Sequence, residues 1–201
     1  VVTLLGQAFG TFVKRNGFSE IALSGDIRLT TPDLMVQFKK GVLSTGIDVI
    51  NLGLLPTPTN YYSMFKLGVG GAVQITGSHN PPEFNGFKMS MDRKAVYGDS
   101  IQTLRKYIED NDFEIGTGSE IKHDIRADYK AMIIEKINIA RPMKVVMDCG
   151  NAARSLNAPE IFKDLGIPFN LVIMILALPL MGTRTGSVWW MRPVMWSGPI
   201  N

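Results

Sequence analysis

The chain has 201 residues, of which 45% are hydrophobic and 19% charged, and its formal net charge is +3. This composition is typical of a globular protein with a hydrophobic core and excludes a disordered chain. The positive charge is small and scattered, so we expect no nucleic-acid partner, and a single cysteine excludes an internal disulfide. No signal-peptide pattern is present at the start, so we expect a cytoplasmic protein.

Helices and strands are predicted to alternate along the first half of the chain. Apolar residues recur at spacings of three and four from residue 1 to 16, which predicts a helix. A second helix is predicted to begin at Pro32, with Thr31 as its N-cap, and to run to about Thr45. The other predicted elements are strands at 20–24, 48–52, 71–75 and 87–91 and helices at 59–67 and 100–110. This order predicts an α/β fold, a three-layer and mostly parallel sheet covered by helices.

A polar turn follows the first predicted strand and contains Asp26 and Arg28. Both side chains are candidates to bind phosphate, and Arg28 is a weak candidate for substrate binding. The more ordinary interpretation is that the two pair with each other and brace the loop, because Asp and Arg beside a turn usually do no more.

The strand at 71–75 leads into a loop with several chemically active side chains. They are those of Ser78, His79, Asn80, Glu83 and, after a second turn, Lys88. Ligands bind beyond the carboxyl ends of the strands in parallel sheets, so Ser78 is a candidate nucleophile. An ordinary turn is the alternative, because serine, asparagine, proline and glycine are the usual residues of turns.

This serine loop resembles a known phosphate-carrying motif. The phosphoserine loop of the α-D-phosphohexomutases is similar to residues 76–89, which read Thr-Gly-Ser-His-Asn-Pro-Pro-Glu-Phe-Asn-Gly-Phe-Lys-Met. The continuation from the first proline is most similar to the phosphomannomutase/phosphoglucomutase branch. In that family the serine gives its phosphoryl group to a hexose monophosphate and takes one back from the other end of the sugar.

The resemblance implies a function and a set of site residues. It implies an isomerase that interconverts hexose 1-phosphate and hexose 6-phosphate, of mannose or glucose, through a bisphosphate intermediate. Ser78 would be the phosphoryl carrier, and its phosphoryl oxygen would be one ligand of a Mg²⁺ cofactor. His79 and Lys88 would be catalytic, with Lys88 also binding the hexose phosphate substrate.

The second half of the chain predicts a linker and the start of another domain. Residues 1–110 form the predicted first domain, 111–124 a polar linker, and 125–168 an incomplete second domain that resembles the family's. Within the second domain we predict a helix at 125–139, a strand at 144–148 and a helix at 159–165. His123 has no evident partner, and Cys149 is predicted to be a small buried side chain at a strand end.

Residues 169–201 depart from the family pattern. No acidic residue follows Asp164, so the three aspartates that hold Mg²⁺ in the family are not found. The apolar stretch 169–180 is too short to span a membrane, so we expect no membrane partner. Two arginines among the tryptophans are too few for a nucleic-acid surface. In the family, those three aspartates lie in one metal-binding loop. If the codons for Leu178 to Met195 are read one base earlier, they are compatible with the sequence of that loop. We therefore hypothesise that 169–201 is an aberrant tail translated out of frame.

Two functions are therefore open from the sequence. The first is a phosphohexomutase, or the N-terminal portion of one. The second is a catalytically inactive remnant without the metal loop, the later domains and the substrate-contacting loop with which family members usually begin. The sequence does not determine the preference for mannose or glucose, or the oligomeric state.

Overall fold

The computed structural model describes residues 1–150 and 152–172. The first elements in chain order are α1 (Val2–Arg15), β1 (Glu20–Gly25), α2 (Thr31–Leu43), β2 (Asp48–Leu54), α3 (Thr57–Lys66), β3 (Gly71–Ile75) and β4 (Phe87–Met91). They are followed by β5 (Lys94–Ala95), α4 (Asp99–Glu109), β6 (Glu120–Lys122) and α5 (Arg126–Lys136). The last described elements are β7 (Val145–Asp148), a 3₁₀ helix (Ala153–Leu156), α6 (Ala158–Asp164) and β8 (Phe169–Val172).

Six strands form one sheet in the order β5-β4-β3-β1-β2-β6. Strand β1 pairs in parallel with β2 and β3, and β2 pairs in parallel with β6. Only β4 and β5 run antiparallel to their neighbours in this sheet. The predicted α/β fold with a mostly parallel sheet is confirmed, and the carboxyl ends of β1, β2 and β3 lie along one edge.

Two hydrophobic clusters pack on the two faces of this sheet. Along β1, Ile21 and Leu23 belong to the larger cluster and Ala22 to the smaller one, as the alternation of side chains in a strand requires. Helices α1, α2 and α4 contribute to the larger cluster, and α3 contributes to the smaller. Helices therefore cover both faces, which explains why every residue of β3 is buried.

Helices α1 and α2 approach each other closely at Gly6 and Gly41. A Cβ atom added to Gly41 would meet the backbone oxygen of Thr3 and would lie 2.8 Å from the backbone nitrogen of Gln7. A Cβ atom added to Gly6 would meet the backbone oxygen of Phe38. Because these neighbours are backbone atoms, only the absence of a side chain permits this helix contact.

The segment 111–124, predicted as a linker, supplies the edge strand β6 of the six-stranded sheet. Its strand β6 pairs with β2, and Gly116 forms a bridge with Thr45. Arg15 of α1 donates hydrogen bonds to Asp112 and Glu114 of the segment. Strand β6 was not predicted, because a short exposed strand has no hydrophobic pattern to reveal it. The domain boundary near residue 125 remains a prediction.

Several local predictions need correction. Helix α2 begins at Thr31 with Thr30 as its N-cap, because the Thr31 hydroxyl donates a hydrogen bond to Asp26 instead of capping the helix. The Nε2 of His123 lies 3.9 Å from a carboxylate oxygen of Asp128, but it makes no hydrogen bond among the described residues. Cys149 is half-buried rather than buried.

The start of the predicted aberrant tail is ordered as strand β8, which pairs in parallel with β7. The remainder of that tail, including the hypothesised out-of-frame stretch at 178–195, lies outside the described residues. Among the helices of the described residues, none combines the length and the apolar character needed to cross a membrane.

Candidate active site

Ser78 lies just beyond the carboxyl end of β3. The loop is closed at its base by a hydrogen bond of 2.9 Å from the backbone N–H of Thr76 to the carbonyl of Gly86. Gly77 is buried, whereas Ser78 and His79 are exposed. A fully buried strand thus delivers the serine hydroxyl to solvent at the edge where parallel sheets bind ligands.

Lys88 lies on β4, the antiparallel neighbour of β3. It is exposed and directly opposite Gln74, which is four residues before Ser78. Lys88 is the second residue of β4, so it lies near the end of β3 from which the serine loop leaves. The structure therefore brings Ser78, His79 and Lys88 to one edge of the sheet. No hydrogen bond joins these three side chains to one another in the described part of the chain.

The backbone of Ser78 has a positive φ of 54°. A left-handed conformation at a residue other than glycine costs about 1–3 kcal/mol and persists only where neighbours enforce it. The Ser78 N–H donates to the Thr76 hydroxyl at 3.0 Å, and the Gly77 N–H donates to Asp26 at 3.3 Å. Two bonds, one to Thr76 and one to Asp26 outside the loop, thus hold the backbone at Gly77 and Ser78.

The guanidinium group of Arg28 closes the loop from the other side. Its Nε donates to an oxygen of Asp26 at 3.1 Å, so the predicted Asp–Arg pair is present. The other four N–H groups donate to loop carbonyls, at distances from 2.6 to 3.4 Å, of Ser78, Asn80, Pro81 and Phe84. Because all five donors have partners, no N–H of Arg28 is left for a substrate phosphate. This geometry favours the bracing interpretation over the substrate-binding one.

Asp26 connects the turn after β1 to the serine loop. Its carboxylate accepts hydrogen bonds from the Thr31 hydroxyl at 2.6 Å and from the backbone N–H groups of Arg28 and Gly77. Burial raises the pKa of Asp26, but the hydrogen bonds from Thr31, Arg28, Thr76 and Gly77 together outweigh burial and hold the pKa below its ordinary value. The ionised carboxylate is therefore the form that fits this site.

We expect the Asp26 carboxylate to make stability depend on pH. The pKa of this carboxylate is lower in the folded than in the unfolded chain. Its contribution to the stability of the fold is therefore fully present above the unfolded pKa of 3.8, and it is lost as the pH falls through the folded pKa. Chemical denaturation between neutral pH and about pH 3 should show an acid-side loss of stability that is smaller in Asp26→Asn. Asp110→Asn, at an exposed carboxylate, is the control, and equal acid slopes in both variants would contradict the assignment.

Comparison with known proteins identifies the family. Residues 1–115 match the family model described as phosphoglucomutase/phosphomannomutase, alpha/beta/alpha domain I. This chain belongs to the phosphoglucomutase/phosphomannomutase family. The resemblance predicted from the serine loop is thereby confirmed, and the matched residues include Ser78, His79 and Lys88.

Relatives in this family are similar over most of the chain. A phosphomannomutase/phosphoglucomutase of Pseudomonas aeruginosa is 39% identical over 162 residues, covering 81% of this chain and 35% of the relative. A phosphoglucomutase of Neisseria meningitidis is 36% identical over 165 residues, covering 81% of this chain and 36% of the relative. The crystal structure of a phosphoglucomutase/phosphomannomutase family protein from Burkholderia thailandensis superimposes with a TM-score of 0.81 at 36% identity, covering 85% of this chain and 39% of that one.

The chain thus spans a little over a third of the length of these family members. Within residues 1–150 and 152–172, no group of three His, Cys, Asp or Glu side chains is arranged to hold a metal ion. Asp26, an acidic side chain that touches the serine loop, already accepts hydrogen bonds from three residues. The described family domain therefore supplies a serine, a histidine and a lysine but not a complete metal site.

Proposed function

We propose that the protein is a phosphohexomutase in which Ser78 carries the phosphoryl group and which interconverts hexose 1-phosphate and hexose 6-phosphate. The observation that supports this most strongly is an exposed serine in a strained and internally braced loop at the carboxyl edge of the sheet, within the matched family domain. Its relatives are named for phosphomannomutase and phosphoglucomutase activities, which supports mannose and glucose phosphates as substrates.

The chemistry proposed for Ser78 is transfer of a phosphoryl group from a hexose bisphosphate. The serine oxygen forms a bond to phosphorus as the bond from phosphorus to the sugar oxygen breaks. The serine loses its hydroxyl proton, and the released sugar oxygen gains a proton to become a hydroxyl. Catalysis of such transfers depends mainly on positioning and on neutralising the negative charge of the transferred group. Lys88 is proposed to supply positive charge to the phosphoryl oxygens, and His79 to exchange the proton.

Mg²⁺ is the cofactor that the family resemblance implies, and it would neutralise phosphoryl charge when bound. A hard divalent cation requires several oxygen ligands. The described residues do not offer them beside Ser78.

The proposal is tested by phosphate acceptance. The chain is incubated with Mg²⁺ and glucose or mannose 1,6-bisphosphate, and intact mass with peptide mapping measures the phosphate bound. We expect one phosphoryl group on Ser78, abolished in Ser78→Ala and retained in Ser155→Ala, a variant at another exposed serine. Absence of phosphate on the unsubstituted chain, or equal labelling of Ser78→Ala, would overturn the proposal.

A second candidate is that these 201 residues alone do not turn over substrate. It is favoured by the coverage of little over a third of the relatives' length and by the lack of a complete metal site in the described residues. A coupled assay of glucose 1-phosphate conversion to glucose 6-phosphate by these 201 residues tests this second candidate. We expect turnover below detection for the chain alone, and robust turnover that Ser78→Ala removes would reject this second candidate.

A further inference from the structure

We propose that Arg28 is a positioning residue, which holds the serine loop in the conformation that presents Ser78 and makes no contact with substrate itself. Its effect on phosphoryl transfer rests on the proposed function of Ser78. Its effect on the shape of the loop does not, so the two can fail separately.

Arg28 links parts of the loop that the loop's own short turns do not join to each other. Prolines 81 and 82 have no N–H to donate, and the backbone bonds within the loop are two short turns, from the N–H of Asn80 to the carbonyl of Gly77 and from the N–H of Phe84 to the carbonyl of Pro81. Four loop carbonyls converge on the Nη1 and Nη2 atoms of Arg28, and they come from both ends of the loop, Ser78 to Phe84. The Arg28 side chain is 15% exposed, and its planar guanidinium group thus closes the loop with charge-assisted hydrogen bonds.

Gly77 shows how closely the loop fits this side chain. A Cβ atom added to Gly77 would overlap Cζ of Arg28 and would lie 2.5 Å from the carbonyl oxygen of Phe84. The residue before Ser78 therefore lies directly against the guanidinium plane. Removal of the guanidinium would abolish its contact with Gly77 and its hydrogen bond to the Ser78 carbonyl. These two interactions lie on either side of the Ser78 backbone, which has a positive φ.

The chain contains an internal comparison for this arrangement. The sequence Asp-Ile-Arg at 26–28 recurs at 124–126, where Arg126 also donates its backbone N–H and its Nε to the aspartate two residues before it. The remaining described hydrogen bond of Arg126 is also donated to Asp124, and the Arg126 side chain is 49% exposed. The local Asp–Arg motif therefore forms without a loop to brace, and the four carbonyl contacts are particular to Arg28.

The first test measures the loop conformation by NMR of the full chain. The Cα and Cβ shifts and the amide coupling constant of Ser78 report its positive φ. We expect this signature to be lost in Arg28→Ala and in Arg28→Lys, since lysine keeps the charge but lacks the fork. It should be retained in Arg126→Ala and Arg126→Lys, and low-millimolar ethylguanidinium should restore it in Arg28→Ala. A native Ser78 signature in a folded Arg28→Lys chain would overturn the proposal.

The second test separates positioning from substrate contact. With hexose 1,6-bisphosphate as donor, we expect Arg28→Lys to lower the maximal rate of phosphate acceptance by Ser78 on the order of 100-fold, with the KM for bisphosphate unchanged. A raised KM at an unchanged maximal rate would overturn the proposal in favour of a substrate contact. If the unsubstituted chain accepts no phosphate, the proposed function fails, and the NMR test still decides the role of Arg28.

Discussion

Replacement of Gly41 by alanine is expected to destabilise the fold by about 2–3 kcal/mol. The added methyl group would lie against backbone atoms of α1, at Thr3 and Gln7, which cannot rotate away as a side chain can. The two helices must move apart, and the packing between the helix layer and the sheet is then disturbed. This loss exceeds the gain of about 1 kcal/mol that alanine brings over glycine in a helix. Urea denaturation monitored by circular dichroism measures the change.

The control for this prediction is Gln37→Ala in the same helix. Gln37 is exposed, so its replacement changes helix propensity without changing the helix contact. We expect it to alter stability by less than about 0.5 kcal/mol. If the Gly41→Ala chain were as stable as the Gln37→Ala chain, the close approach of α1 and α2 would not contribute to the stability of the fold.

Replacement of Gln74 by leucine is expected to cost about 2–4 kcal/mol. Gln74 is 1% exposed and is the centre of a buried polar network beneath the serine loop. Its side-chain oxygen Oε1 accepts a hydrogen bond of 2.5 Å from the Ser24 hydroxyl, and its side-chain nitrogen Nε2 donates one of 3.0 Å to the backbone carbonyl of Leu55. Leucine would leave both partners buried without this bond, and each unsatisfied group costs about 1–3 kcal/mol. Thermal and urea unfolding measure the loss.

The surface control and a double-mutant cycle sharpen this prediction. Gln102→Leu, at an exposed glutamine of α4, should leave stability nearly unchanged. Ser24 pairs with Gln74 in the register of β1 and β3, so Ser24→Ala removes the hydroxyl that Gln74→Leu leaves unsatisfied. The double variant should therefore be more stable than the sum of single effects predicts, by about 1 kcal/mol. Strict additivity would show that the two side chains act independently.

The buried network and the Arg28 contacts support the same strand and loop from two directions. Asn60 of α3 donates to Ser24 at 2.6 Å and to the carbonyl of Val73 at 3.1 Å, which ties the helix to β1 and β3. Ser24 and Asn60 are fully buried. Strand β3 is thus fixed to its neighbours immediately before the residue at which the chain turns out to solvent as the serine loop.

The sequence alone predicted the family and most of the elements of this domain. Apolar periodicity and turn residues are local properties of the chain, so strands β3 and β4 were predicted with the bounds that the structure has. The serine loop was recognisable because its residues are contiguous. Strand β6 was missed, because three exposed residues carry no period and pair only with a strand far away in the chain.

Only the tertiary structure decided which side chains support Ser78. Strands β1 and β3 are adjacent and parallel, so the turn after each strand lies beside the other, and the backbone N–H of Asp26 donates to the carbonyl of Ile75. No spacing in the sequence reveals that adjacency, since about fifty residues separate the two turns and strand order is set by packing. The same Asp-Ile-Arg sequence therefore braces a loop at residue 28 and lies at the surface at residue 126. The chemistry of the candidate nucleophile was determined locally, whereas its support depends on contacts between distant segments.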